Sequence, residues 1–220
     1  MDFNNPNHWT NSYLLRGFNP VIRWLIVSDI VLFGSAGILA PIFAVFVTDY
    51  VPGGNIQAAG VAVAIYLLTK SFAQIPISAV MDTVKGEKDD YKFLIIGSFG
   101  LAIVPLLYIF VTNINQLFFV QFLNGLVAAA ALPSYMAIFT RHVEKNKESL
   151  AWGVYFTFYD LSTAAAGAIG GTLAYHIGFK WVFVLVSALS IIGSMILILI
   201  KKYMRPVIKP EEIKIQEAIK

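Results

Sequence analysis

At 220 residues, 58% hydrophobic and 13% charged, the chain leaves little sequence for a soluble domain. Its formal net charge of +3 comes from basic residues that flank apolar runs instead of forming one patch, which reads as a membrane-topology signal and not as nucleic-acid affinity. The absence of cysteine excludes disulfides and thiolate chemistry, the three histidines (His8, His142, His176) stand singly, and neither a metal site nor a cofactor is expected.

The first twenty residues hold Asn4, Asn5, Asn7 and Asn11 without an unbroken apolar core, so they do not resemble a cleaved signal peptide and the first apolar run is expected to be retained. A bilayer core about 30 Å thick needs roughly 20 apolar residues of helix. Six runs meet that length. The first, Trp24 to Val47, carries Asp29 near its start and Pro41 near its end. The second, Ala58 to Val80, places Lys70, Gln74 and Ser78 at four-residue spacing, one polar stripe down a helix. A charged loop with Asp82, Lys85 and Glu87 to Asp90 follows. The third, Phe93 to Val111, is free of charge; the fourth, Leu117 to Phe139, holds Gln121, Asn124 and Pro133. In the fifth, Trp152 to Tyr175, Asp160 heads a stripe with Ala164, Gly167 and Gly171, and Gly170 adds to its small residues, so Gly167, Gly170 and Gly171 are expected to pack helices closely. The sixth, Trp181 to Ile200, is again uncharged, and Pro210 to Ile219 carries the pattern of a short surface helix.

The basic residues fall on alternate sides. Arg16 and Arg23 precede run one, Lys85, Lys88 and Lys92 follow run two, and Arg141, Lys145 and Lys147 follow run four. Lys201, Lys202, Arg205, Lys209, Lys214 and Lys220 follow run six, while the other loops hold only Lys180. By the positive-inside rule both termini are expected in the cytoplasm. The chain then divides into a polar cytoplasmic segment (1–20), a six-helix transmembrane domain (21–200) and a basic cytoplasmic tail (201–220) that reads as a natural end. Trp24, Trp152 and Trp181 fit interfacial anchors.

Ionic side chains deep in an apolar span cost at least about 2.5 to 3.5 kcal/mol each. Lys70 and Asp160 fall at similar depth, and Asp29 is shallower, within reach of cytoplasmic water. Asp29, Lys70, Gln74, Gln121, Asn124 and Asp160 are therefore the candidate substrate or coupling residues. Tyr66, Tyr135, Tyr155 and Tyr159 are candidates to line a path.

An internal repeat runs through the chain. At an offset of 92, Asp29, Pro41, Phe43, Thr48 and Val51 fall over Gln121, Pro133, Tyr135, Thr140 and Val143. One residue out of step, Gly60-Val61, Tyr66 and Leu68 fall over Gly153-Val154, Tyr159 and Leu161, and Tyr91-Lys92-Phe93 sits against Phe179-Lys180-Trp181. Three runs per unit is odd, so the second unit is expected upside down, an arrangement used by secondary transporters.

The loops resemble those of the major facilitator superfamily. Ser78-Ala79-Val80-Met81-Asp82-Thr83-Val84-Lys85-Gly86 is similar to the signature after the family's second span, with Ser78 where Gly is usual. Gly167-Ala168-Ile169-Gly170-Gly171 resembles its Gly-Pro-x-x-Gly-Gly-like segment, and Gly178-Phe179-Lys180-Trp181-Val182-Phe183 its turn into the sixth span. Gln121-Phe122-Leu123-Asn124-Gly125 matches its Arg-x-x-x-Gly frame with Gln121 in place of Arg. The likeness covers Arg23 to Ile200 and amounts to one six-helix half of that fold. It implies that spans three and six lie outside, that Asp82 and Lys85 act in a cytoplasmic gate, and that span two of one half meets span five of the other.

The expected fold class is thus an all-α membrane protein of six transmembrane helices in two inverted three-helix repeats. The expected function is alternating-access transport of a small solute, with protons as candidate coupling ions, by a homodimer that sets Lys70 of one copy against Asp160 of the other. A non-transporting subunit paired with another six-helix chain is the alternative, and an enzyme is not expected because no catalytic set shares a face.

Overall fold

The computed structural model describes residues 15, 17–83 and 87–204. Most of the polar N-terminal segment, Lys85 and the surface helix expected over 210–219 lie outside the described residues. Within them the chain forms α1 (Pro20–Gly37), α2 (Phe43–Tyr50), α3 (Ile56–Asp82), α4 (Lys88–Tyr108), α5 (Ile114–His142) and α6 (Glu148–Ile196), followed by a 3₁₀ segment, Leu197–Tyr203. Five of these, α1, α3, α4, α5 and α6 with its 3₁₀ extension, are long and apolar enough to cross a membrane. Asparagines open three of them. Asn19, Asn55 and Asn113 accept hydrogen bonds from the backbone N–H of Val21, Ala58 and Gln116 at 2.9, 2.8 and 3.0 Å, satisfying donors that a helix start leaves without partners.

Two spans depart from the sequence expectation. The first is split: between α1 and α2 the N–H groups of Ile38, Leu39 and Ile42 reach back three residues to Ser35, Ala36 and Leu39. Proline lacks an N–H and crowds the preceding turn, so the backbone tightens around Pro41 instead of continuing as an α-helix. Its repeat counterpart, Pro133, stays inside α5.

The second departure is that the fifth and sixth runs are not separate elements but one, α6. At 49 residues this element would reach about 70 Å if straight, more than twice a bilayer core. It is not straight. Gly178 interrupts it at φ 76°, ψ 158°, a conformation that glycine adopts without a Cβ clash. The contacts along α1 and α2 show what happens there. Asp29 meets Tyr155, Gly34 meets Ser162 and Ile38 meets Gly170, an order that advances with α1. Beyond Gly178 the order reverses, with Ser28 on Gly193, Ser35 on Ser190, Phe46 on Phe183 and Tyr50 on Phe179. The chain therefore turns back at Gly178, and the two parts of α6 run in opposite directions.

The same reading orders the other helices. Along α4 and α5, Asp90 pairs with Arg141, Gly97 meets Ala131 and Gly100 meets Val127, which is antiparallel. Along α3 and α5, Thr69 lies on Gly125 and Met81 on Ser134, which is parallel. Segment direction thus alternates along the chain, and Arg23, Lys88, Lys92, Arg141, Lys145, Lys147, Lys201 and Lys202 gather at one end of the bundle, here the basic end. Two apolar clusters fill the interior. One, around Ile22, Leu25, Phe139 and Tyr155, lies toward the basic end; the other, around Phe46, Leu117, Val182 and Phe183, lies toward the opposite end.

Between them the helices touch backbone to backbone. A Cβ added to Gly97 would lie 2.6 Å from the Ala131 nitrogen, and one on Gly193 would lie 2.8 Å from the Leu32 nitrogen. Gly97→Ala is expected to push α4 from α5 and lower stability by about 1 to 3 kcal/mol. Gly60→Ala, whose added Cβ meets nothing within 4 Å, is expected to stay within about 0.5 kcal/mol. Denaturant unfolding in micelles checks both.

Candidate functional site

The sequence-predicted polar residues separate into four places. Asp29, on α1, is buried at 4% exposure and is not open to water as its shallow position suggested. The Tyr155 hydroxyl donates to its Oδ2 at 3.1 Å, and the buried Tyr135 borders the same carboxylate. Around them Tyr135, Phe139, Trp152 and Tyr155 form a continuous aromatic cluster with centroids 4.5 to 5.9 Å apart. This carboxylate is held by the helices it joins, α1, α5 and the first part of α6. Tyr155 and Tyr135 serve that cluster, while Tyr66 reaches a cavity elsewhere.

Lys70 and Asp160 lie outside the cavity and the two apolar clusters. Lys70 is half-buried beside the midpoint of α3, and Asp160 is exposed near the midpoint of the first part of α6. Among the described residues neither has an ion-pair partner. Gln74 is half-buried one turn below Lys70, on the least buried of the five long helices. The glycine stripe on α6 divides. Gly170 is pressed against the Ile38 carbonyl and Gly167 lies near that of Gly37, whereas a Cβ on Gly171 would meet open space. The turn from Gly167 to Gly170 thus seats α6 on the end of α1, and Gly171 looks outward.

At the basic end, Asp82 is exposed at the last residue of α3, with Asp90 near enough to feel its charge. Asp90, almost wholly buried, is ion-paired with Arg141 at the end of α5. Beside it His142 Nε2 lies 3.7 Å from Glu87 Oε2, both side chains buried. The Ile138 carbonyl 2.9 Å from His142 Nδ1 can only accept, so Nδ1 carries the proton. These two contacts tie the start of α4 to the end of α5. By sequence Arg141 reads as a topology signal and Asp90 as part of a charged loop; their shared depth at facing helix ends is the available clue.

Gln121 and Asn124 meet in the fourth place, a cavity of about 430 Å³ within the bundle. Its walls come from α1, α3, α4, α5, the second part of α6 and the 38–43 turn, with Tyr66, Tyr108, Gln121, Asn124 and Ser190 as polar lining and Phe33 and Phe43 as aromatic lining. The Tyr108 hydroxyl reaches the Asn124 side chain. The cavity was not legible beforehand because the apolar stretches that wall it, residues 93–108 of α4 and 181–196 of α6, carry no charge to draw attention. Tyr155→Phe is expected to strip the hydroxyl from Asp29 and cost about 1 to 3 kcal/mol; in an Asp29→Leu background the same change is expected to cost little, a coupling that a double-mutant unfolding cycle measures.

Comparison with known proteins fits this geometry. The family model described as Major Facilitator Superfamily matches residues 25–219. The chain is 28% identical over 186 residues to the multi-drug resistance efflux pump PmrA of Streptococcus pneumoniae, a match covering 83% of this chain and 45% of that protein. It is 24% identical over 178 residues to the uncharacterized MFS-type transporter MJ1560 of Methanocaldococcus jannaschii, covering 81% and 44%. Among solved structures it is similar in fold to the POT family transporter PepTSo, with a TM-score of 0.66 at 16% identity over 86% of this chain and 39% of that one. The chain spans about half the length of the curated relatives it matches.

Proposed function

The chain belongs to the Major Facilitator Superfamily, and on that premise we propose that it is a membrane transporter that moves a small solute by alternating access, as a pair of like chains each supplying one half of the fold. The alternating segment directions support six crossings, arranged as two inverted triplets with the break at Gly178 separating the fifth from the sixth. With the basic end in the cytoplasm, as the positive-inside rule requires, both termini lie on the cytoplasmic side.

The observation that carries the reading is the state of Lys70 and Asp160. Each sits near the middle of its segment and has no ion-pair partner among the described residues. An isolated charge in hydrocarbon is expensive, whereas a paired one is tolerated. In a two-half arrangement α3 of one copy faces the first part of α6 of the other, so symmetry brings Lys70 to the partner's Asp160 twice. The outward Gly171 supports close approach at that surface. As the two copies rock, a proton or a charged solute competes for these groups, and Gln74 lines the same stripe. Asp82, at the last residue of α3, closes the cytoplasmic side against helix ends. A relative is named as a multi-drug resistance efflux pump, which makes outward movement of drug-like solutes the first activity to assay.

A second reading rests on the same half-length match: a different six-helix chain supplies the other half, or the pair does not transport. Cross-linking in lipid decides among them. Purified chain is expected to give a homodimer, Lys70→Asp and Asp160→Lys are each expected to abolish it at a cost of about 3 to 5 kcal/mol per broken bridge, and the double exchange is expected to restore it. If Asp160 also trades protons, the restored dimer extrudes no ethidium from cells. A chain that stays monomeric in lipid at every concentration overturns the paired reading.

Orientation has its own check, which the cysteine-free sequence makes clean. Pro52→Cys is expected to react with a membrane-impermeant maleimide on intact cells, and Lys145→Cys only after the cells are opened.

A further inference from the structure

The cavity around Gln121 goes beyond the paired reading, because its walls belong to a single chain and include α4 and the second part of α6. Its volume of about 430 Å³ falls within the range of small-molecule sites, roughly 300 to 1,000 Å³. Its lining contains no acidic or basic side chain. A charged molecule entering it would lose hydration with no ion to replace the water, which selects against ions of either sign.

Gln121 gives the site its polar preference. The residue is 4% exposed, its side chain faces the cavity, and it makes no hydrogen bond among the described residues. The amide opens onto the cavity and offers a donor and an acceptor together. Asn124 and Tyr66 add further hydrogen-bonding groups to the lining, and Phe33, Tyr66 and Tyr108 add aromatic surface.

We propose that this cavity is a binding site for a neutral, largely apolar small molecule carrying a hydrogen-bonding group, held by the Gln121 amide against the aromatic walls. One chain is sufficient for it, so occupancy does not wait on the second copy. Ala36, which also lines the cavity, marks the space such a molecule fills.

The test titrates full-length chain in detergent with the neutral dye N-phenyl-1-naphthylamine and follows its fluorescence. Saturable binding is expected, weakened about tenfold by Gln121→Leu through loss of the hydrogen-bonding group at similar volume, and lost in Ala36→Phe, which fills the space. The cation ethidium is expected not to displace the dye. Thermal unfolding reports whether each variant folds; should Gln121→Leu not fold, Ala36→Phe decides. A signal that never saturates, or that is equal in the native chain and Ala36→Phe, overturns the site, and displacement by ethidium overturns its neutral character. The dye is expected to bind equally well to Asp160→Lys, which leaves the cavity walls intact. Loss there overturns the single-chain assignment, whereas a failed dimer with dye binding retained counts only against the paired transporter.

Discussion

Close approach of helix backbones is the constraint on which the bundle depends. Lipid tails are as apolar as leucine, so spans in a bilayer gain little from hiding leucine and must associate through packing and hydrogen bonds. Here α4 meets α5 at Gly97 and α5 meets α3 at Gly125, while both parts of α6 meet α1, at Gly37 and Gly193. Contact at that distance brings hydroxyls within reach of neighbouring carbonyls: Ser28 donates to Gly193 and Ser187 to Ala102, and Ser35 and Ser190 share a hydrogen bond. Small residues and serines therefore act together, the first setting the spacing and the second fixing the register.

The ionisable groups sort by whether that scaffold satisfies them. Asp29 sits where three segments converge and receives a tyrosine hydroxyl. Asp90 and Glu87 are answered by Arg141 and His142 across one helix end. Lys70, half-buried, and Asp160, exposed, stand near the middles of their segments without an ion-pair partner among the described residues. The inner acids thus find partners within the bundle, whereas the pairing proposed for Lys70 and Asp160 is with a second copy.

Much of the fold was legible in the chain itself. Length and hydropathy located α3, α4 and α5 closely, because a bilayer imposes one thickness on every crossing; the first run continued past the end of α1 at Gly37, and the fifth and sixth fell in one element, where Gly178-Phe179-Lys180 marked the reversal. What sequence could not supply was convergence. Asp29 looked shallow by residue count, yet Tyr155, 126 positions away, closes over it. The split at residues 38–42 was invisible because Pro41 and Pro133 look alike in one dimension, and only their surroundings distinguish a break from a tolerated ring. The cavity escaped notice for the same reason: Gln121 and Asn124 were marked as polar, but Tyr108, Ser190 and Val186 come from segments whose composition is bland.

The reversal at Gly178 carries a consequence for tolerance of length change. Phe179 follows at once and is already buried, and Val182, Phe183 and Val186 continue the same inward face. No slack separates the turn from the segment it starts. Each residue of helix advances the azimuth by about 100 degrees, so one residue inserted between Gly178 and Phe179 would swing that whole inward face toward lipid. Loops absorb insertions by bulging outward; this corner transmits them as rotation, so it behaves toward an added or deleted residue as a helix interior does.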